Sequence, residues 1–197
     1  MEAPKLIGTI ASIVHKQILK PNGFRKKGMT ASRQRTYPEI LNFQSSKWND
    51  SKSAEFTINL GIYIEEIHEC SGAHPVGDNI KEYNCDMRER IGSLMPGGTD
   101  YWWEVREGSD PESIASEVID ALSSFGLPWF DKYQNLVNIA SFYENKDPFM
   151  AAVTQVVLGN IKQAEEFAKL AYMKAHKLRK RPLRDWALKN GIALPNQ

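Results

Sequence analysis

The chain has 197 residues, of which 42% are hydrophobic and 25% charged, with a net charge of +1. This composition excludes disordered, collagen-like and coiled-coil classes and suits one good core, or a core domain with a helical appendage. Charge is unevenly spread, with 10 Lys/Arg against 4 Asp/Glu in residues 1–60, 4 against 15 in 61–131, 2 against 2 in 132–160 and 9 against 3 thereafter; such polarity either steers a partner or is neutralised internally.

In chain order, Leu6, Ile7, Ile10, Ile13, Val14 and Ile18 recur at helical spacing, and Pro21-Asn22-Gly23 ends the pattern. This first helix carries Glu2 and lacks a basic leader, so it reads as an amphipathic helix rather than a signal peptide, with the cytoplasm as the expected location. Two cysteines, Cys70 and Cys85, are too few for a disulfide framework, and reduced thiols are the default. Residues 24–37 alternate loosely as one strand with Arg33 and Arg35 on one side, broken by Pro38.

The alternation is clearer in residues 40–47 and 55–64, with a polar hairpin loop between them. Pairing Leu41 with Leu60 and Phe43 with Ile58 sets the register, because a one-residue slip would exchange core and solvent faces. The opposite face then pairs Asn42 with Asn59 and Gln44 with Thr57, with Tyr63 further along.

Residues 65–84 are expected to form a long loop. Residues 85–95 suit either a helix or a strand and are assigned to a strand, bounded by Gly92 and Pro96-Gly97-Gly98. A short strand at 101–105 must turn Trp102 and Trp103 to opposite sides. Asp110-Pro111 opens a helix that Gly126 and Pro128 end, and another helix covers about 129–144.

Residues 144–148 mark the expected boundary between an α+β sheet domain at 1–146 and a helical extension at 147–197 packed on it. The fold class is therefore α+β, an antiparallel sheet packed with helices and followed by a C-terminal helical hairpin. Gly159 and the Ala164, Ala168, Ala171 series resemble half of a tetratricopeptide-type hairpin, but a solenoid needs about three repeats. A final short helix is expected behind Pro182, from Leu183 to Asn190.

The residue groups Phe24-Arg25-Lys26-Lys27-Gly28, Asn42-Phe43-Gln44 with Ser46-Lys47, Phe56 through Gly61, Arg88 through Gly92 and Trp102-Trp103 stand in a characteristic order. Together they resemble a mainly bacterial family catalogued as domain of unknown function 4304, over about residues 6–130. The resemblance implies an α+β domain and supplies no catalytic residue.

Asn42, Gln44, Asn59, Tyr63, Arg88 and Arg90 are the ligand-binding candidates, because amides and forked guanidiniums on one sheet face suit carboxylate or phosphate groups of a partner. Against this, antiparallel sheets commonly leave one face wet and polar. His68, Cys70, His74 and Cys85 match none of the usual zinc spacings, so neither a metal nor a cofactor is expected.

No G-x-S-x-G, Walker-type or dinucleotide-type loop is present. Glycoside hydrolysis needs two carboxyls roughly 5 to 9.5 Å apart, which the nearness of Glu104, Glu107 and Asp110 in sequence does not establish. The basic run at 173–189 suits phosphate contacts, but a pI near 7.7 disfavours a nucleic-acid domain.

The leading expectation is a noncatalytic recognition protein that binds another protein, with the acidic middle segment facing a basic surface such as that of a nuclease toxin, an immunity-like role. The alternatives are a small anionic ligand or substrate on the polar sheet face, and nucleic acid on the basic tail. No membrane span is expected.

Overall fold

The computed structural model describes residues 2–77 and 79–195. Strands β3 (Pro38–Ser45) and β4 (Ser53–Ile62) pair antiparallel, with Leu41 opposite Leu60, Phe43 opposite Ile58, Asn42 opposite Asn59 and Gln44 opposite Thr57. This is the register that the alternation requires, and it sends Leu41, Phe43, Phe56, Ile58, Leu60 and Ile62 into the core.

β1 (Arg25–Lys27) and β2 (Thr30–Gln34) extend the sheet beyond β3. On the far edge of β4, β5 (Met87–Arg90) pairs with residues 59–62 and β6 (Trp103–Arg106) with residues 53–56. All five pairings are antiparallel. The fold is thus α+β, a six-stranded antiparallel sheet with helices and a helical C-terminal part.

Helix α1 (Ala3–Val14) runs on through a wider π turn at His15–Leu19 and packs on β3, β4 and β6. Its buried stripe of Leu6, Ile7, Ile10 and Val14 is the one its spacing predicts. Trp103 is 3% exposed and stacks on Phe56 at 5.5 Å, while Trp102 points to the other side and is half-buried.

Several expectations need correction. Residues 24–37 form not one strand but the β1–β2 hairpin, turned at Gly28-Met29. Arg33 lies opposite Glu39 on the core side, and Arg35 lies beyond the end of β2.

Residues 65–84 are not a plain loop, because α2 (Glu65–Ser71) forms there and buries Ile67 and His68. Residues 85–95 are divided, since β5 is followed directly by the short helix α3 (Ile91–Leu94).

Gly126 does not end its helix. α4 (Pro111–Ala121) passes through a π turn at Leu122–Gly126 into α5 (Leu127–Lys132). A Cβ on Gly126 would come within 2.9 Å of Leu122 and 3.2 Å of Ile91, so this glycine serves close packing rather than termination.

By internal packing the chain divides into two units. One comprises Met1–Tyr63 and Gly77–Asp131, and the other Ile64–Val76 and Lys132–Gln197. The second contains α2, α6 (Leu136–Glu144), α7 (Pro148–Val157), α8 (Ile161–Lys174) and α9 (Lys177–Lys189).

Asp147 caps α7 by accepting from the N–H groups of Phe149 and Met150. Ala164, Ala168 and Ala171 are buried on α8, which packs closely against α7. Pro182 lies inside α9 rather than in front of it. The carbonyl that loses its donor belongs to Leu178, an exposed residue near the start of the helix.

One polar group penetrates the sheet core. Glu39 is fully buried and accepts from Arg33, whose side chain is 10% exposed and lies over the Phe24 ring at 4.6 Å. Arg35 and Asp131 complete the cluster. Burial pushes the Glu39 carboxyl above its ordinary range, against the pull of Arg33 and Arg35.

Removing one partner of a buried pair strands a charge, so Glu39→Ala is expected to destabilise the sheet domain by about 3–5 kcal/mol, whereas Arg33→Met with Glu39→Leu recovers most of that loss. Urea denaturation of the three proteins measures both effects.

Candidate functional site

The polar face of the sheet is held together by Arg90. β5 places Arg90 directly opposite Asn59. Its Nε donates to Asn59 Oδ1 at 3.2 Å, its Nη2 to Gln44 Oε1 at 3.4 Å and its Nη1 to Asp100 Oδ1 at 2.6 Å. Asn59 Nδ2 donates to Gln44 Oε1 at 2.6 Å, closing a ring of amides and guanidinium. The Trp102 ring lies 5.3 Å from the guanidinium carbon, close enough for a cation–π contact.

Hydrogen bonds from Arg90 and then from Trp102 hold the Asp100 carboxyl below its ordinary range. Asp100 therefore stays ionised, and bound to Arg90, at mildly acidic as well as neutral pH.

Asn42 stands opposite Asn59 in the register but turns its amide the other way, donating to Thr30 Oγ1 at 3.1 Å. Two groups are left pointing outward. Gln44 Nε2 has no acceptor and Asn42 Oδ1 no donor among the described residues.

Tyr63 and Arg88 stand apart. Tyr63 lies four residues beyond Asn59, about 13 Å along an extended chain at roughly 3.3 Å per residue, and is buried. Arg88 stands opposite Gly61 and pairs with Glu82 at 2.7 Å. Cys85 packs directly over Gly61, which lies between Asn59 and Tyr63 in the chain. Of the six candidates, then, Gln44, Asn59 and Arg90 form one network, Asn42 borders it, and Tyr63 and Arg88 lie outside it.

Asp100 and Trp102 were not legible as members of this group. They arrive because β5 and β6 both return to the edge of β4, which folds residues 91–102 back beside Arg90. The glycines at 97 and 98 were the available signal. Thr57 is buried on the same face and donates to the Tyr101 carbonyl at 2.8 Å, fixing that return.

The same face carries a cleft of about 460 Å³ lined by Arg25, Ser32, Gln34, Pro38 and Ile40. Further along, Glu55 lies opposite Glu104, near the exposed Trp48. The two cysteines are free thiols, and burial raises both above their ordinary range. His68 is engaged with the His74 carbonyl at 2.8 Å, and among the described residues no group of three or more His, Cys, Asp or Glu is placed to hold a metal. Nor, among those residues, is any helix long and apolar enough to cross a membrane.

The fold and its polar face define a mixed sheet-and-helix domain with an ordered, amide-rich surface. The chain belongs to the family described as Domain of unknown function (DUF4304), whose model matches residues 15–132 and so spans the sheet and the Arg90 network. No curated protein and no solved structure matches it.

The close approach of Cys85 to Gly61 can be tested directly. An added Cβ would lie 2.6 Å from the Cys85 sulfur, so Gly61→Ala is expected to cost about 1–3 kcal/mol. Combining it with Cys85→Gly removes the clashing side chain, and the thermal midpoint of the double variant should lie above that expected from adding the two single effects.

Proposed function

We propose that the domain recognises another protein through the polar face of its sheet. The observation that carries this reading is the Arg90 ring, which fixes Gln44 and Asn59 while leaving one donor, Gln44 Nε2, and one neighbouring acceptor, Asn42 Oδ1, turned outward. A donor and an acceptor held side by side on a rigid strand match the two polar groups of a peptide bond. Trp102, beside Arg90, supplies an aromatic surface of the kind in which interface energy concentrates.

The partner surface is basic. Glu55 and Glu104 face each other across β4 and β6, an arrangement that repels within the sheet and is relieved by a cation from outside. Arg106 meets only part of that demand, pairing with Glu104 at 3.3 Å on a well-exposed surface. An immunity-like role against a basic nuclease is one specific form of this reading.

Gln44→Glu tests the proposal cleanly, since it keeps the oxygen that Arg90 and Asn59 require and removes the outward donor. The variant should retain its thermal midpoint but lose a partner that the wild-type chain retains in quantitative affinity capture from the native cell. Equal recovery on both baits, or no partner on either, overturns the reading.

A small anionic ligand is favoured by a separate observation. The cleft of about 460 Å³ falls within the roughly 300–1,000 Å³ of ligand sites, and Arg25 on its wall has no carboxylate partner among the described residues. Under this reading phosphate or citrate raises the thermal midpoint of the wild type by a few degrees and that of Arg25→Ala not at all. Equal shifts in the two proteins count against it.

A further inference from the structure

The helical unit contains a groove of its own, separate from the sheet face and independent of the reading above. Its volume is about 410 Å³, and its apolar lining includes Phe149, Ala171, Leu183 and Trp186. Phe149 and Trp186 meet edge to face at 5.1 Å, and Trp186 Nε1 is anchored to the Cys70 carbonyl at 2.7 Å, so the aromatic wall is held in place. Alanine at 171 and 175, where a larger residue would fill the space, keeps it open.

Charge at the groove is equally specific. Lys174 comes from the last turn of α8 and Arg179 from the first turn of α9, and both line the groove. Neither has an ion pair or side-chain hydrogen bond among the described residues. Other charges of the unit are already committed. Arg184 donates to the Tyr172 hydroxyl, Lys180 lies 4.9 Å from the centre of the Tyr172 ring, and Asp147 caps α7. α9 as a whole carries six Lys/Arg against one Asp.

We propose that this groove binds a peptide segment of a partner protein in which bulky apolar side chains stand beside acidic residues. The apolar walls take the side chain, where burial supplies most of the affinity. Lys174 and Arg179 take the flanking carboxylates and set the choice of partner, since charged rims govern specificity and encounter rate more than raw affinity. An uncharged apolar segment would leave both cations unused, and a basic one would be repelled.

The test uses the full chain and a fluorescein-labelled hexapeptide with leucine and phenylalanine between two pairs of glutamates. One control peptide has lysines for the glutamates and another has serines for the two apolar residues. Fluorescence anisotropy should show the first peptide binding at least tenfold more tightly than either control.

Two variants probe the groove from different sides. Lys174→Glu with Arg179→Glu changes two exposed residues, and Ala175→Trp fills the cavity. Each should weaken the acidic peptide at least tenfold with the circular dichroism spectrum unchanged. Should filling the cavity perturb the spectrum, the charge reversal alone decides. Equal binding of the three peptides, absence of binding by the acidic one, or undiminished binding by the charge-reversed chain overturns the proposal. So does displacement of the peptide by octanoate with the affinity of a dedicated fatty-acid site, or a wild-type dimer in sedimentation that the charge reversal dissolves, since these assign the groove to a lipid or to a second copy.

Discussion

Strand β4 has partners along both edges, and this places a strict demand on its ten residues. β3 occupies one edge, while β5 and β6 divide the other between residues 59–62 and 53–56. Every side chain of β4 must therefore suit a position between neighbours as well as a face. Phe56, Ile58, Leu60 and Ile62 meet that demand on the inner face, where α1 covers them. Because side chains alternate with a period of two, committing these four inward also commits Glu55, Thr57, Asn59 and Gly61 to the reverse. The polar surface is a consequence of how the core is packed.

That reverse face is more ordered than solvation requires. Asn59 is only 8% exposed, and a polar group so nearly buried needs partners, which Gln44 and Arg90 provide. Gly61 is equally constrained, since Cys85 occupies the volume that any larger side chain would need. In the acidic middle segment three carboxylates pair with the segment's own arginines and one pairs outside it. Asp100 serves Arg90, Glu82 serves Arg88, Glu104 serves Arg106 and Asp131 serves Arg35. Pairs within the segment leave its excess of carboxylates unchanged, so most of the charge polarity is not neutralised by these contacts.

The sheet and the helical unit present different surface chemistry. The sheet offers fixed amides, a guanidinium held by three acceptors and an aromatic border. The helical unit offers an apolar groove with two uncommitted cations. The family model covers residues 15–132, so the sheet face lies within the shared part of the chain and most of the helical unit outside it.

Local pattern was sufficient for several features. Two-residue alternation fixed the β3–β4 register and brought Asn42 opposite Asn59, because the cost of a slip is borne by a whole hydrophobic face. The helical stripe of α1 and the Asp110 cap of α4 were equally plain, since both depend on residues within a few positions of one another. Other features depended on contacts between residues distant in the chain. Nothing near Arg33 announces that it turns inward to Glu39 between Phe24 and Phe130, or that Gly126 is small to admit Ile91. Nothing near Arg90 announces Asp100 and Trp102, whose approach follows from two strands sharing one edge of β4. The sequence by itself determined which residues could be buried together within an element; only tertiary packing decided which polar groups would be drawn in with them, because a buried charge or amide takes its partner from whatever chain passes within hydrogen-bond reach.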